Sequence, residues 1–378
     1  MGADDDDRPV TIYTVAERAG VSIATVSRVL KGSTPASPMT RRKVLRAVEE
    51  LDYVPLRSSR PVDVPRHQTH GLVLPGLHGP YFSDLLTGFE STAAQYGQSV
   101  VVVLANGPVD IETSLRNVLQ RVDGLVVATA TVSDATVRTI SRGTPTVLLA
   151  RDPVEGCDAV LVENERSAAE LTSHLIGHGR RHILFVGDGA RSHDVTGRYD
   201  GFVSALRKRK LMEAGPPIRV HPEETFGPEA VDRILAMSEP VDALLCANDE
   251  LALSIMAQLA RRGVRVPDDI AVTGFDDIMT SRFMAPGLTT AQQPTRALGR
   301  WAAIRLHERI EGRTHDVEPL VIPTKIILRG SCGCPWDGPS LPTPPEAQFT
   351  RPDPVPAPAR SNGAAAVVPQ RTQEHAGA

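Results

Sequence analysis

The stretch GVSIATVSRVLKG, residues 20–32, places a glycine directly before a helix-length run with one arginine at its centre. Gly20 lacks a Cβ and accepts the left-handed backbone that a sharp turn requires. Ser22 then serves as N-cap for a helix from Ile23 to Leu30, with Val26, Val29 and Leu30 on one face. Upstream, Thr11 can cap a helix from Ile12 to Ala19 whose Val15 and Ala19 stand at i and i+4. Downstream, Ser37-Pro38 reads as N-cap and N1 proline of a helix reaching Leu51, with Val44, Val48 and Leu51 turned inward. Three short helices, the second following a glycine turn, predict an all-α helix-turn-helix head over residues 10–54.

Charge points the same way. The whole chain carries a formal net charge of −4, yet nine Lys or Arg stand against four acids between Pro9 and Arg60, a local balance of +5. A basic head on an acidic body suits a polyanion, although solvated helix faces could carry the same charges. A helix-turn-helix lays its second helix in the major groove of double-stranded DNA. Arg28 then becomes the principal reader, because its planar fork can donate twice to guanine, worth about 1–3 kcal/mol of discrimination. Ile23 and Ala24 can meet thymine methyls. Ser22, Thr25 and Ser27 suit phosphate, with helix capping as the alternative role of these hydroxyls.

From residue 71 the pattern changes to strands alternating with amphipathic helices. Apolar runs at Leu72–Leu74, Val100–Leu104, Leu125–Ala128, Val147–Leu149, Ala159–Val162, Ile183–Val186, Ala243–Ala247 and Ala271–Gly274 read as strands buried on both faces. Between them, Phe82–Tyr96, Ile111–Val122, Glu165–Ile176, Tyr199–Leu211 and Asp249–Arg262 read as helices. This predicts an α/β body of two doubly wound parallel lobes over 71–333, with a ligand cleft at the carboxyl ends of the strands. Residues 55–70 form a Pro-containing basic linker, and the acidic residues 1–9 and the Pro/Ala-rich residues 334–378 are expected to stay disordered. No apolar run approaches the length of a membrane span, and MGADDDDRPV lacks the basic-then-apolar order of a secretory signal, so a cytoplasmic location is expected.

The segments TIYTVAERAGVSIATVSRVLKG and TRRKVLRAVEELDYVP resemble the DNA-binding head of the lactose-repressor (LacI/GalR) family of bacterial regulators. The resemblance continues through GPYFSDLLTGFE, GRRHILFVGD, GRYDGF, ANDELALSIMAQLARRGVRVPDDIAVTGFDD, LTTAQQP and ILRGSCG, to about residue 333. It implies a homodimeric transcriptional regulator, a repressor, with a body like that of type I periplasmic binding proteins and a small effector, a sugar or related metabolite, held between the lobes. Its base-reading positions fall on Ile23, Ala24 and Arg28. Its effector positions fall on Tyr81, Phe82, Arg198, Phe226, Asn248, Asp276 and Gln293. Carboxylate, amide and guanidinium groups suit a polyol's hydroxyls, and an aromatic face covers its C–H side. A two-fold dimer further implies a pseudo-palindromic operator.

The sequence departs from the family after YVP. Leu56 stands where Asn is usual, Ser59-Arg60 replaces Ala-Arg, and Pro61-Val62 replaces Ala-Leu. Proline inside a helix costs about 3 kcal/mol, so a hinge helix there is disfavoured, leaving Arg57 and Arg60 as phosphate contacts. Lys31, where Asn is frequent, adds a charge near the DNA backbone. An enzyme is disfavoured: GxSxG, HExxH and P-loop motifs are all missing. No cofactor is expected. Nor is a metal: Cys332-Gly333-Cys334 offers two ligands against the usual four, and His174, His178 and His182 read as solvated surface across a helix end and the next strand. A sugar-binding protein without a regulatory role remains the alternative, against which the basic head argues.

Overall fold

A computed structural model of the chain describes residues 12–23, 25–26, 29, 37–51, 67–77, 79–189, 192–221, 223–313 and 319–338. The head contains helices α1 (Ile12–Ala19) and α2 (Pro38–Glu50), and Ile23, Thr25, Val26 and Val29 between them are also helical. Gly20 sits at φ 64°, and the Thr25 amide donates to Ser22 Oγ at 3.2 Å, the turn and cap the sequence calls for. Ser37 caps α2 likewise, accepting from the Thr40 amide at 3.1 Å. Val15, Ala16, Ala19, Val26, Val29, Val44 and Ala47 bury one another, with Val48 and Leu51 packed alongside. On the surface Glu50 accepts from Arg46 at 2.8 Å and from Arg18 at 2.9 Å, tying α2 to α1. Those two hydrogen bonds hold its carboxyl below the ordinary range.

The body consists of β1 (Thr69–Leu74), α3 (Gly79–Gln95), β2 (Ser99–Leu104), α4 (Ile111–Val118), β3 (Gly124–Ala128), α5 (Asp134–Ser141), β4 (Thr146–Leu149), β5 (Asp158–Val162), α6 (Glu165–Gly177), β6 (Ile183–Val186), α7 (His193–Lys208), α8 (Gly227–Leu235), β7 (Ala243–Cys246), α9 (Asp249–Arg261), β8 (Ala271–Asp276), β9 (Thr289–Gln292), α10 (Thr295–Ile310), β10 (Leu320–Ile322) and β11 (Lys325–Ile327). One sheet has the order β10-β5-β4-β3-β1-β2 and is parallel throughout. The other has the order β11-β9-β8-β7-β6. Its β11 runs antiparallel to β9, a departure from the all-parallel expectation, because the last crossover returns the chain to the sheet edge.

Alternate residues along each strand go to opposite faces, which gives each sheet two cores. Leu72 and Leu74 pack with α3 and α10, while Val73 packs with α4 and α5. In the second sheet, Leu184 and Val186 face α8 and α9, while Ile183 and Phe185 face α6 and α7. The chain passes between the sheets after β5, between β9 and β10, and between β10 and β11. Helices α3 and α10 come into backbone contact, because a Cβ on Gly88 would lie 2.0 Å from the Arg296 carbonyl oxygen and one on Gly299 would lie 2.1 Å from that of Leu85. No helix among the described residues is long and apolar enough to cross a membrane.

Candidate effector cavity and DNA-binding head

β8 ends at Asp276, and it and the following Asp277 are both held at positive φ, 123° and 56°. Such backbone is costly for a side-chain-bearing residue and persists only where the surroundings hold it. Here Asp249, fully buried at the start of α9, accepts from the Ile278 amide at 3.0 Å, from Ser281 Oγ at 2.6 Å and from Thr290 Oγ1 at 2.6 Å. Gly274 makes room for it, since a Cβ there would come within 2.2 Å of Asp249 Oδ1. Burial pushes the Asp249 carboxyl up to about 6, against those same hydrogen bonds.

The two aspartates then diverge in role. Asp277 is neutralised: Arg329 donates to it at 2.5 Å, Gln292 at 2.8 Å, and Arg282 stands at 3.8 Å. Both aspartates line a cavity of about 390 Å³, together with Tyr81 and Asp84 of α3, Arg282, Gln293 and Thr295, and of the two Asp276 is the one without a close arginine partner. Gln293 Nε2 donates to Asp276 Oδ1 at 2.5 Å, and the Tyr81 hydroxyl donates to Gln293 Oε1 at 3.5 Å. Behind Asp276, the Arg198 guanidinium lies 3.9 Å over the Phe275 ring, donating through Nε to Asn164 at 2.9 Å and through Nη1 to the Ala247 carbonyl at 2.6 Å. Its Nη2 faces Asp276 at 3.8 Å and Asp194 at 3.9 Å, beyond direct hydrogen bonding. Asn164 closes the chain of contacts by donating to Asp194 at 3.0 Å. Burial raises the Asp276 carboxyl to about 8 despite Arg198. Burial, then the charges of Asp194 and Asp276, also raises the Tyr81 hydroxyl.

Of the seven expected effector residues, Tyr81, Asp276 and Gln293 line this cavity and Arg198 joins it through Asp276. Phe82 meets Tyr81 edge-on, ring centroids 5.1 Å apart, and leans on the core of the first sheet. Phe226 is a correction to the stacking-ring expectation: it ends a 3₁₀ turn that presses its ring onto the core beside α9, 5.9 Å from the His221 ring, and it does not line the cavity. Asn248 N-caps α9 by accepting from the Leu251 amide at 3.1 Å. Sequence reasoning missed Asn164, Asp194 and Asp249. Asp249 was visible as a helix start, but nothing in one dimension shows that its carboxylate turns into the core.

In the head, Ser22 is exposed and Ile23 keeps 40% of its surface in solvent, a large apolar side chain free at the N-terminus of the second helix. Thr25 is half-buried, its hydroxyl 2.9 Å from that of Ser22. Ala24, Ser27, Arg28, Lys31, Arg57 and Arg60 lie outside the described residues.

The remaining correction concerns the histidines. His174 and His178 are not independent surface groups, because the end of α6 packs against the 3₁₀ turn Gly330–Cys332 and brings both rings to Cys332 and Cys334. His182 is not among them. Cys334 packs on the core of the second sheet and Trp336 covers Gly287 and Gly330, so the body continues beyond the position where the tail was expected to begin.

Comparison with known proteins settles the family. Residues 11–56 match the model for bacterial regulatory proteins of the lacI family, and residues 172–332 match that for a periplasmic binding protein-like domain. The chain is 30% identical over 334 residues to catabolite control protein A of Priestia megaterium, an alignment covering 85% of this chain and 99% of that protein. The chain belongs to the lacI family of bacterial regulatory proteins. Among solved structures, the transcriptional regulator CelR in complex with cellobiose superposes with a TM-score of 0.67 at 28% identity, covering 86% of this chain and 100% of CelR. The lac repressor dimer bound to operator and the anti-inducer ONPF gives 0.65 at 28% identity, covering 86% and 99%. This lacI-family chain is thus a transcriptional regulator with a helix-turn-helix head and a two-lobed α/β body.

Proposed function

We propose that the chain is a cytoplasmic repressor that binds a pseudo-palindromic operator as a homodimer, and that a sugar or related polyol in the 390 Å³ cavity changes its operator affinity. The observation that carries this is the run of polar contacts from Asn164 and Asp194 through Arg198, Asp276 and Gln293 to Tyr81, which joins the second sheet's elements to α3 on the first. A polyol that binds Asp276 and Tyr81 together favours one relative placement of the lobes, and allostery is such a preference, typically about 1–3 kcal/mol. The CelR–cellobiose and lac repressor–operator structures support a sugar ligand and a DNA-bound dimer.

In this reading the cavity binds and catalyses nothing. Residues 10–54 form the reading head, 55–70 the linker, and the body from 71 onward senses the effector. Ser22, Thr25 and Ser27 hold phosphates, Ile23, Ala24 and Arg28 read bases, and Lys31, Arg57 and Arg60 add backbone charge contacts. Calorimetric titration of mono- and disaccharides and of nucleosides, repeated with Asp276→Ala, tests the sensing half. The expected result is a sugar whose affinity falls at least about 10-fold in the variant. A ligand that binds both proteins equally places the site elsewhere. Anisotropy titration against upstream DNA tests the reading half, with Arg28→Ala expected to lose about 1–3 kcal/mol of sequence discrimination while remaining folded.

A further inference from the structure

We propose that His174, His178, Cys332 and Cys334 form a structural zinc site that fastens the C-terminal end of the body to helix α6. The four side chains come from two places far apart in sequence. His174 and His178 are four residues apart at the end of α6, His178 being its C-cap, so one helix face presents both imidazoles. Cys332 ends the 3₁₀ turn that follows β11, and Cys334 stands two residues on, across Gly333. Gly333 sits at φ 104°, and a Cβ on it would lie 3.4 Å from His178 Nδ1. That left-handed residue lets the chain double back so that both sulfurs address the same point.

The donor atoms already converge. His174 Nε2 lies 3.2 Å from Cys332 Sγ and 3.4 Å from Cys334 Sγ, and His178 Nε2 lies 3.4 Å from Cys334 Sγ. All four donor atoms fall within 4.8 Å of one another. A tetrahedral zinc ion with Zn–N of about 2.0 Å and Zn–S of about 2.3 Å needs donor separations of roughly 3.3–3.8 Å, so small side-chain rotations suffice. Two imidazoles and two thiolates form a complete tetrahedral shell, and a shell filled by protein is the mark of a structural site, not a catalytic one.

One hydroxyl stands ready beside the buried sulfur. Thr289 Oγ1 lies 3.1 Å from Cys332 Sγ and 2.9 Å from the Arg329 carbonyl oxygen, so its one proton can turn from the carbonyl to the sulfur, and Cys332 is buried within the core shared by α6, α7 and the second sheet. As a thiol the sulfur can instead donate to the Arg329 carbonyl at 3.2 Å. On zinc binding each cysteine thiol loses its proton to solvent, and the Thr289 hydroxyl donates to the resulting Cys332 sulfur, as partners behind metal ligands do. Both cysteines are free thiols. This assignment is independent of the effector cavity, none of whose lining residues it uses.

The test uses the full chain purified under reducing conditions without added metal. Elemental analysis is expected to find about one zinc per chain, and the zinc-stripped protein titrated with cobalt(II) is expected to develop the visible and near-ultraviolet absorption of tetrahedral thiolate coordination. Cys334→Ser and His178→Ala, both at the accessible side of the site, are expected to weaken cobalt binding by more than about 100-fold and to remove that absorption, while His182→Ala leaves it unchanged. A chelator should lower the melting temperature of the wild type and not of Cys334→Ser. The proposal is overturned if folded, reduced wild type neither retains zinc nor shows the cobalt bands, if its cysteines resist reduction as a Cys332–Cys334 disulfide, or if both variants bind metal as the wild type does.

Discussion

Asp276 carries the sharpest expectations at the scale of single residues. Its carboxyl is raised from 3.8 to about 8 by burial, and that of Asp249 from 3.8 to about 6. The folded chain therefore holds protons that the unfolded chain has released, and stability falls as pH rises through this window. Both shifts have the same sign, so Asp276→Asn should reduce the fall of the denaturant midpoint as pH rises towards about 8, and an unchanged pH dependence would count against a raised Asp276. A polyol hydroxyl donating to the ionised carboxylate favours loss of its proton. Effector binding near pH 7 should then release protons and tighten with rising pH. Calorimetry in buffers of different ionisation enthalpy reads this directly, and net proton uptake would contradict the assignment of Asp276 as ligand. The residue types were legible where they end a strand, as Asp276 does. Asp194 and Asn164 were not, because the reason for both is Arg198, more than 30 residues from one of them.

At the scale of elements, most of the body could be read because burial on both faces writes a continuous apolar run. β1 to β8 each contain such a run, whereas β9 reads Thr-Thr-Ala-Gln and β10 and β11 have three residues apiece. The threonines of β9 are buried through hydrogen bonds to Arg329 and Asp249 rather than through hydrophobicity, which is why the pattern hid them. The α3–α10 pair rests on two glycines, and Gly299→Ala is expected to destabilise the body by about 1–3 kcal/mol or more in urea melts, because the added methyl meets backbone and not a flexible side chain. Gly177→Ala, in α6 with open space around it, serves as control and should be neutral or mildly stabilising. The linker belongs to this scale too. Pro61 disfavours a helix by about 3 kcal/mol, so Pro61→Ala should strengthen operator binding in anisotropy titrations, and unchanged or weaker binding would remove the hinge argument.

For the whole molecule, a basic head on an acidic body should make DNA binding strongly salt-dependent while effector binding is not. If two heads act together, a duplex with both half-sites should bind roughly 100-fold more tightly than one with a single half-site, and equal affinities would exclude a dimeric reader. In the proposed function, lobe placement links effector binding to DNA binding. Small-angle scattering with and without the identified sugar should show compaction that Asp276→Ala abolishes.

Local chemistry by itself determined the helix-turn-helix head, the alternation of strands and helices, and the likeness to the lacI family, because caps, glycine turns and apolar periods act within a few residues. Only the tertiary structure decided which polar groups meet. Burial of Asp249 and the Arg198 network join residues some 29 to 78 positions apart, and the two histidines meet the two cysteines where the chain returns to a place it left more than 150 residues earlier. Such meetings depend on the packing of whole elements, and no spacing along the chain encodes them.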